Sequence, residues 1–521
     1  MAVHAHRRPV LFLSLLLAAV SAAAPPPVLE RGNGPEPDSL DPARAQGLSA
    51  HQVLRDLYEG LVSEDPLGAL VGGAALSWRQ RDDGLAWTFV LRPALRFSDG
   101  ARLRAQDFAA SLARALDPQT AAPYGTLLLP IAGAAARLAG DTRATLGVRA
   151  LDDVTLEIVL DTPCPDLPAR LSLPLAMPVR LPPGSDATTG GRALLGNGAY
   201  RLVDWQPGAW IELQANPHWR EADQLAIRRV RFHVSDDAAQ EARRFAGGEL
   251  HLTETIPPQP LATLRARFGT ALRIAPAYGT FFLGLNLERP PFAGNPALRE
   301  ALGWAIDRDL LVRLVTGAGE RPAWTLVPPT AAIATPSRAT AIARAQQLYA
   351  QAGYGSDRPL TVELRFNSSS QNRRLMLAIA AMWRGHLGVR TRLRNEEWKV
   401  FVRNRRARVL TQVFRGGWNA DLADPLNFLE TFTATSPLNA TGFADPAFDA
   451  LLAASQQAGD AGRRQDLLAQ AEQRLLAAHA IIPLYHYASR HLVDPRLEGF
   501  AAHPLDHHPT RFLRWRAGAF E

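Results

Sequence analysis

A chain of 521 residues with 47% hydrophobic and 21% charged side chains is too long for one hydrophobic core and too ordinary in composition for disorder, so roughly two to four packed domains are expected. Its formal charge of +7 is carried almost wholly by arginine, with Lys399 the sole lysine, and the cations are dispersed with no aromatic ladder among them, which argues against a nucleic-acid binder. The single cysteine, Cys164, excludes an internal disulfide and lies too far along the chain to be an N-terminal lipid anchor; a buried, inert thiol is expected.

In chain order, the first segment joins a basic start (Arg7, Arg8) to an apolar run from Val10 to Val20 and small residues from Ser21 to Ala24. That is the pattern of a secretory signal peptide (1–24), cleaved near Ala23 or Ala24, which implies an exported, periplasmic protein. No later apolar run approaches the roughly 20 residues of a membrane-spanning helix. "WTFVLRP" (Trp87 to Pro93) and "TLEIVL" (Thr155 to Leu160) alternate at period two as half-buried strands do, whereas "QDFAASLARALDP" puts Phe108, Leu112 and Leu116 on one helical face. "NPALREALGWAIDRDLLVRLVTG" predicts one long core helix, capped by Asn295, opened by Pro296 and ended by Gly317. "NRRLMLAIAAMWRGHLGV" predicts another, stopped at Gly388, followed by a strand through Val389, Thr391 and Leu393. A helix from Arg463 to Ala478 then leads into the strand-like "IIPLYHY". Strands and helices mixed in this way indicate an α/β or α+β layered architecture.

Two stretches carry charge in a suggestive setting. "RNRRAR" (Arg403 to Arg408) is the densest basic cluster and reads as a solvated face or the rim of an anionic-ligand site. "FRGGWNADLADP" places Arg415 and Asp421 six residues apart around Gly416, Gly417, Trp418 and Asn419, either an ordinary surface loop or two ends of a ligand site.

"SLDPARAQGLSAHQVLRDLYEGL", "WTFVLRPALRFSDGARLRAQDF", "GNGAYRLVDW", "LREALGWAIDRDLLV" and "GGWNAD", collinear over nearly the whole mature chain, resemble the family 5 extracellular solute-binding proteins, the oligopeptide receptors of ABC peptide importers. The resemblance implies an α/β two-lobed periplasmic binding protein of the Venus-flytrap kind. Its first lobe would be discontinuous (25–58, 169–278 and 487–521), with an extra domain at 59–168, a second lobe at 279–486 and hinge crossings near Tyr278 and Tyr485. It further implies a monomeric receptor, without catalytic activity, cofactor or metal, that captures short peptides and delivers them to an inner-membrane ABC permease.

A buried peptide leaves two terminal charges and a row of main-chain groups to be matched, so its receptor needs a fixed anion, fixed cations and strand edges. By the resemblance, Asp421 binds the ligand ammonium, Arg415 faces ligand carboxylates, and Gly416 and Gly417 admit close backbone approach. Arg405 corresponds to a second such cation, although the register within "RNRRAR" is ambiguous. Tyr124, Trp398, Trp418 and Tyr485 correspond to aromatics lining the cleft, each equally readable as core packing, and Asn367 and Ser368 to a strand end meeting the ligand backbone. Two departures alter the expected contacts: Gln46, followed by Gly47 and Leu48, stands where the family has a glutamate, and Asn372 where it has a histidine. A dipeptide, a murein-type peptide or an amidated ligand therefore remains open as the natural guest.

Two other classes are weighed against this. A periplasmic peptidase would need a nucleophile with its base, and G-x-S-x-G, H-E-x-x-H and S-x-x-K are absent, the last by the lack of a suitable lysine. A metal-chelate or haem receptor would find candidate ligands in His503, His507 and His508 of "HPLDHHP" and in His486 and His491, for which the plainer reading is a solvent-facing tail.

Overall fold

The computed structural model describes residues 28–181, 192–257, 259–329 and 337–519; the expected signal segment lies outside the described residues. Alternating apolar residues generate three sheets of four or more strands among the described residues. The first runs in the order Leu29–Gly32, Arg229–His233, Trp210–Ala215, Tyr200–Gln206, with only its first pair parallel. Leu29, Leu54, Ile211, Leu213, Val230 and Phe232 from this sheet and the helix Gly47–Leu57 form its core. The second is antiparallel (Ala75–Gln80, Ala86–Leu91, Thr155–Val159, Val148–Ala150) and is covered by the helix Ala105–Ala115, whose Phe108 and Leu112 are buried beside Phe89, Leu156 and Ile158. The third has six strands in the order Arg321–Pro322, Ile481–Leu492, Leu272–Leu285, Val413–Asn419, Thr361–Asn367, Arg390–Glu396, packed against the helices Pro296–Trp304 and Ser370–Leu387.

The molecule is two-lobed, and two strands join the halves. Leu272 and Leu492, at one end of the long antiparallel pair, pack with Ala242, Ile256 and Leu264 in the first lobe. Phe281, Leu283, Ile482 and Leu484, at the other end, are core residues of the second. Between them the register breaks, from Pro276↔Ala488 to Thr280↔His486. A ladder interrupted where it passes between lobes has fewer hydrogen bonds resisting rotation, which suits it to act as a hinge.

Asn295 caps Pro296–Trp304 through Leu298 N, as its sequence signals, but the helix expected to reach Gly317 stops at Trp304. Asp307 starts a new turn by accepting from Leu310 N (2.9 Å), and Leu311–Thr316 continues as a π-helix. The Arg308 guanidinium folds inward on the carbonyls of Gly303, Ala323 and Pro483 (3.1, 2.9 and 2.9 Å), bonds a continuous amphipathic pattern does not foresee. Cys164 is buried, its thiol directed at Asp166.

Candidate functional site

The strand Val413–Asn419 pairs along its whole length with Leu272–Leu285, but with Thr361–Asn367 only at Leu364↔Val413 and Arg365↔Phe414. Beyond Phe414 that second edge has no strand partner among the described residues. The bonds Ala420 N to Tyr278 O and Asn286 N to Gln412 O fix the alternation, which turns the N–H and C=O of Gly417 and Asn419 toward the open edge. An extended guest can pair there.

At the end of this strand the chain is held by a side chain that sequence reasoning passed over. Asn427, 4% exposed, accepts through Oδ1 from both Trp418 Nε1 (3.2 Å) and Asp421 N (3.0 Å). Asp424 caps Leu426 N (2.8 Å) and forms a two-pronged ion pair with Arg464 (2.7 and 3.0 Å). The loop so fixed places Asp421 in a cavity with Leu48, His51, Tyr124, Leu127 and Leu175. No cation pairs with Asp421 among the described residues. Its carboxylate stays open to water at the lip of the cavity, yet desolvation by the surrounding protein raises its pKa. Tyr124 shares that environment, and its hydroxyl meets the Gly47 backbone.

Arg405, on the helix Trp398–Ala407, and Arg415, on the open strand, form the opposite pole. Each has a buried Nε without a partner, and neither has a carboxylate partner among the described residues. Arg415 lies over the Phe281 ring (5.1 Å to its centre) and bonds the Tyr487 hydroxyl. Burial, then the charges of Arg415 and Arg406, lower Arg405 to about 10. The neighbouring Arg365 shows the alternative: it is bonded to Glu363 and Glu396. Two desolvated guanidiniums without a counterion are an anion site.

The remaining expected residues divide. Trp398 is half exposed at the start of its helix, where Glu397 accepts from Lys399 N (2.8 Å). Asn372 donates to the carbonyl and side-chain oxygens of Asn367 (3.2 and 3.1 Å), and Ser368 Oγ bonds Asn395 Oδ1 and Glu396 O (2.9 and 3.1 Å), so this trio braces a strand end. Tyr485 is 2% exposed and stacked on Phe281, inside the second lobe's core. Gln46 precedes the helix Gly47–Leu57 with its N–H on the Asp38 carboxylate (3.0 Å), while Leu48 is exposed in the Asp421 cavity. Gly416 answers to the interior: a Cβ there would lie 2.3 Å from the Phe282 ring. At Gly417 it would lie 2.6 Å from the Tyr487 hydroxyl. Tyr487 was itself legible, two residues from Tyr485 in a strand; Asn427 had no motif to announce it.

The tail reading of the C-terminal histidines is overturned. His503 is 1% exposed and His491 3%, with His507 and His508 nearly enclosed, because the segment folds back into the first lobe. Glu64 there meets His507 Nδ1 (2.7 Å) and Arg55 (3.3 Å). His503 Nδ1 accepts from Leu505 N (3.1 Å), which leaves its hydrogen on Nε2 and that atom unfit to bind a metal, and the Arg55 charge opposes a cation.

A family profile described as bacterial extracellular solute-binding proteins, family 5 middle, matches residues 69–440. The periplasmic oligopeptide-binding protein OppA of Salmonella typhimurium is 34% identical, over 95% of each chain. The murein tripeptide-binding protein MppA in its unliganded open form superposes with a TM-score of 0.85 at 32% identity, covering 94% of this chain and 97% of that one. Haemophilus influenzae OppA in complex with RPPGFSPFR gives 0.73 at 30% identity, covering 94% and 98%. At nearly equal identity, the higher score with the open form is what lobes standing apart produce.

Proposed function

We propose, from the premise that this chain belongs to the family 5 bacterial extracellular solute-binding proteins, that it captures short peptides between its lobes and presents them to an ABC permease of the inner membrane. The observation that carries the reading is the pair of unmatched poles, Asp421 at one end of an open strand edge and Arg405 with Arg415 at the other. A zwitterionic chain supplies the missing partner at each pole, an ammonium for Asp421 and a carboxylate for the arginines. Between them its main chain adds to the open edge as a further strand.

Six residues from Arg415 to Asp421, at about 3.3 Å each, set the poles roughly 20 Å apart along the backbone. Arginine side chains reaching inward shorten this to the span of an extended peptide of about three to six residues. Main-chain recognition leaves ligand side chains to roomy, hydrated pockets, so specificity is broad.

The lobes close over the guest about the two crossing strands, whose register break lies beside the boundaries 278/279 and 486/487 proposed for the hinge. The first lobe then comprises 25–58, 169–278 and 487–521, the extra domain 59–168 and the second lobe 279–486. The proposed receptor is periplasmic, monomeric and without catalytic activity; among the described residues no helix is long and apolar enough to cross a membrane. Titration calorimetry with one tetrapeptide in free, N-acetylated and C-amidated forms tests the reading. The free form binds, acetylation abolishes binding and amidation weakens it; equal affinity for all three overturns it.

A further inference from the structure

The second histidine group offers what the Glu64 group does not, two imidazole Nε2 atoms converging on one carboxylate oxygen. His491 Nε2 and His508 Nε2 each lie 2.9 Å from Asp506 Oδ1, and the three atoms fall within 4.8 Å of one another. His491 Nδ1 meets the carbonyl of Thr253 (3.0 Å), which fixes that hydrogen on Nδ1 and turns Nε2 toward the carboxylate. This is the outer-shell arrangement that orients a ligating imidazole. His508 is held by stacking on Phe500 (3.9 Å between ring centres). Asp506 sits at φ 60°, a conformation aspartate tolerates, in the turn that presents its side chain to both rings.

We propose that His491, Asp506 and His508 form a binding site for one divalent first-row metal ion, of the zinc type, on the first lobe beside the end of the crossing strand Ile481–Leu492. Two imidazole nitrogens and a carboxylate oxygen suit zinc, whereas calcium and magnesium prefer all-oxygen sets. The acidic surroundings favour a cation independently. Glu254 and Glu241 both interact electrostatically with His491. Arg31, the nearby cation, bonds the His508 carbonyl (3.0 Å), Thr510 and Gln52, and has Asp56 as its opposite charge.

In the metal-free chain the one carboxylate accepts from both rings, so each Nε2 holds a hydrogen, and His491, whose Nδ1 also donates to the Thr253 carbonyl, holds two. Metal uptake forms a bond to each Nε2. The Nε2 proton of His491 passes to solvent, and that of His508 moves to Nδ1, so about one proton is released per ion and affinity falls as pH drops.

The test uses the full-length, tag-free mature protein, stripped with EDTA and titrated with zinc by calorimetry, with metal content read by elemental analysis. One zinc per chain is expected, with a zinc-dependent rise in Tm. His508→Ala and Asp506→Asn each weaken zinc binding by about tenfold or more. His491→Arg keeps a cation on Asp506, and hence the fold, but loses the metal. His503→Gln retains it. No saturable zinc uptake by the wild type, or uptake that survives His491→Arg and His508→Ala, overturns the proposal, as does loss of zinc in His503→Gln alone.

Discussion

In the C-terminal corner of the first lobe Asp506 faces two histidines and Glu64 meets Arg55 and His507, whereas along the cleft Asp421, Arg405 and Arg415 have no opposite charge within ion-pair distance among the described residues. Both regions incur a desolvation cost, although the Asp421 carboxylate keeps an opening to water. In the corner that cost is offset within the chain, so those charges need no peptide to complete them. In the cleft it is left standing until a guest arrives, and a guest that brings both missing charges is held by the difference. Burial alone does not mark a peptide site; charge left without a partner does.

The sharpest way to break this comparison is to remove the anion of the cleft. Asp421→Ala leaves a buried ammonium unmatched in the complex, and the loss is expected at about 3 to 5 kcal/mol, more than a hundredfold in affinity. Calorimetry with free and N-acetylated peptide checks it: the variant should no longer distinguish them, and an unchanged preference for the free amine would return Asp421 to the scaffold. Next in size is the double substitution Arg405→Met and Arg415→Met. Peptide affinity should fall by about 2 to 4 kcal/mol while the Tm of the empty protein holds or rises, since two like charges are relieved of each other. A matching fall in Tm would show that these arginines support the fold instead.

A pH series sharpens the other half of the comparison. Burial lowers His51, His486, His503 and His508 to about 4 from an ordinary value near 6.5. Between these values the unfolded chain binds more protons than the folded one, so the stability these histidines contribute is full above about pH 6.5 and lost as pH falls toward 4. His491, raised, works in the opposite sense and loses its contribution above its ordinary value, while Glu241, raised to about 7, favours the folded chain as pH drops. The effect of two of these rings, on the order of a few kcal/mol from pH 7 to pH 4, is read by urea denaturation as the difference profile between the wild type and the double variant His51→Gln, His486→Gln. A flat profile over that range would mean these rings are hydrated.

Periodicity was enough for the strand Ala86–Leu91, the helix Ala105–Ala115 and the helix Ser370–Leu387 with its stop at Gly388, because each buries one face in the way its spacing implies. It failed at Asp307, where a cap and an inward-turned arginine outweigh an unbroken apolar stripe. The poles of the cleft were named from a resemblance, not from spacing, since nothing local to "GGWNAD" tells a carboxylate with a partner from one without. The histidines were misread for the same reason: "HPLDHHP" is polar and near the chain end, and only the fold-back against Glu64 and His491 buries it.

Asn427 gives the smallest and most discriminating effect. Its one side-chain oxygen joins the indole of Trp418 to the backbone of Asp421, spanning the turn that aims the carboxylate without touching the cavity. Asn427→Ala removes these two hydrogen bonds, each contributing about 1 kcal/mol, and the longer one from Asn427 Nδ2 to Glu430 (3.4 Å). Part of that should appear as a Tm lowered by a few degrees, and part as a roughly tenfold weaker peptide affinity with the preference for a free amine intact. Asn427→Asp preserves the acceptor oxygen but replaces the donor to Glu430 and adds a negative charge beside Asp421; it should recover only part of the Tm and raise the Asp421 carboxyl pKa further, so that peptide affinity is lost sooner than in the wild type as pH drops. An Asn427→Ala variant that binds as tightly as the wild type would mean that Asp421 is aimed by the strand alone.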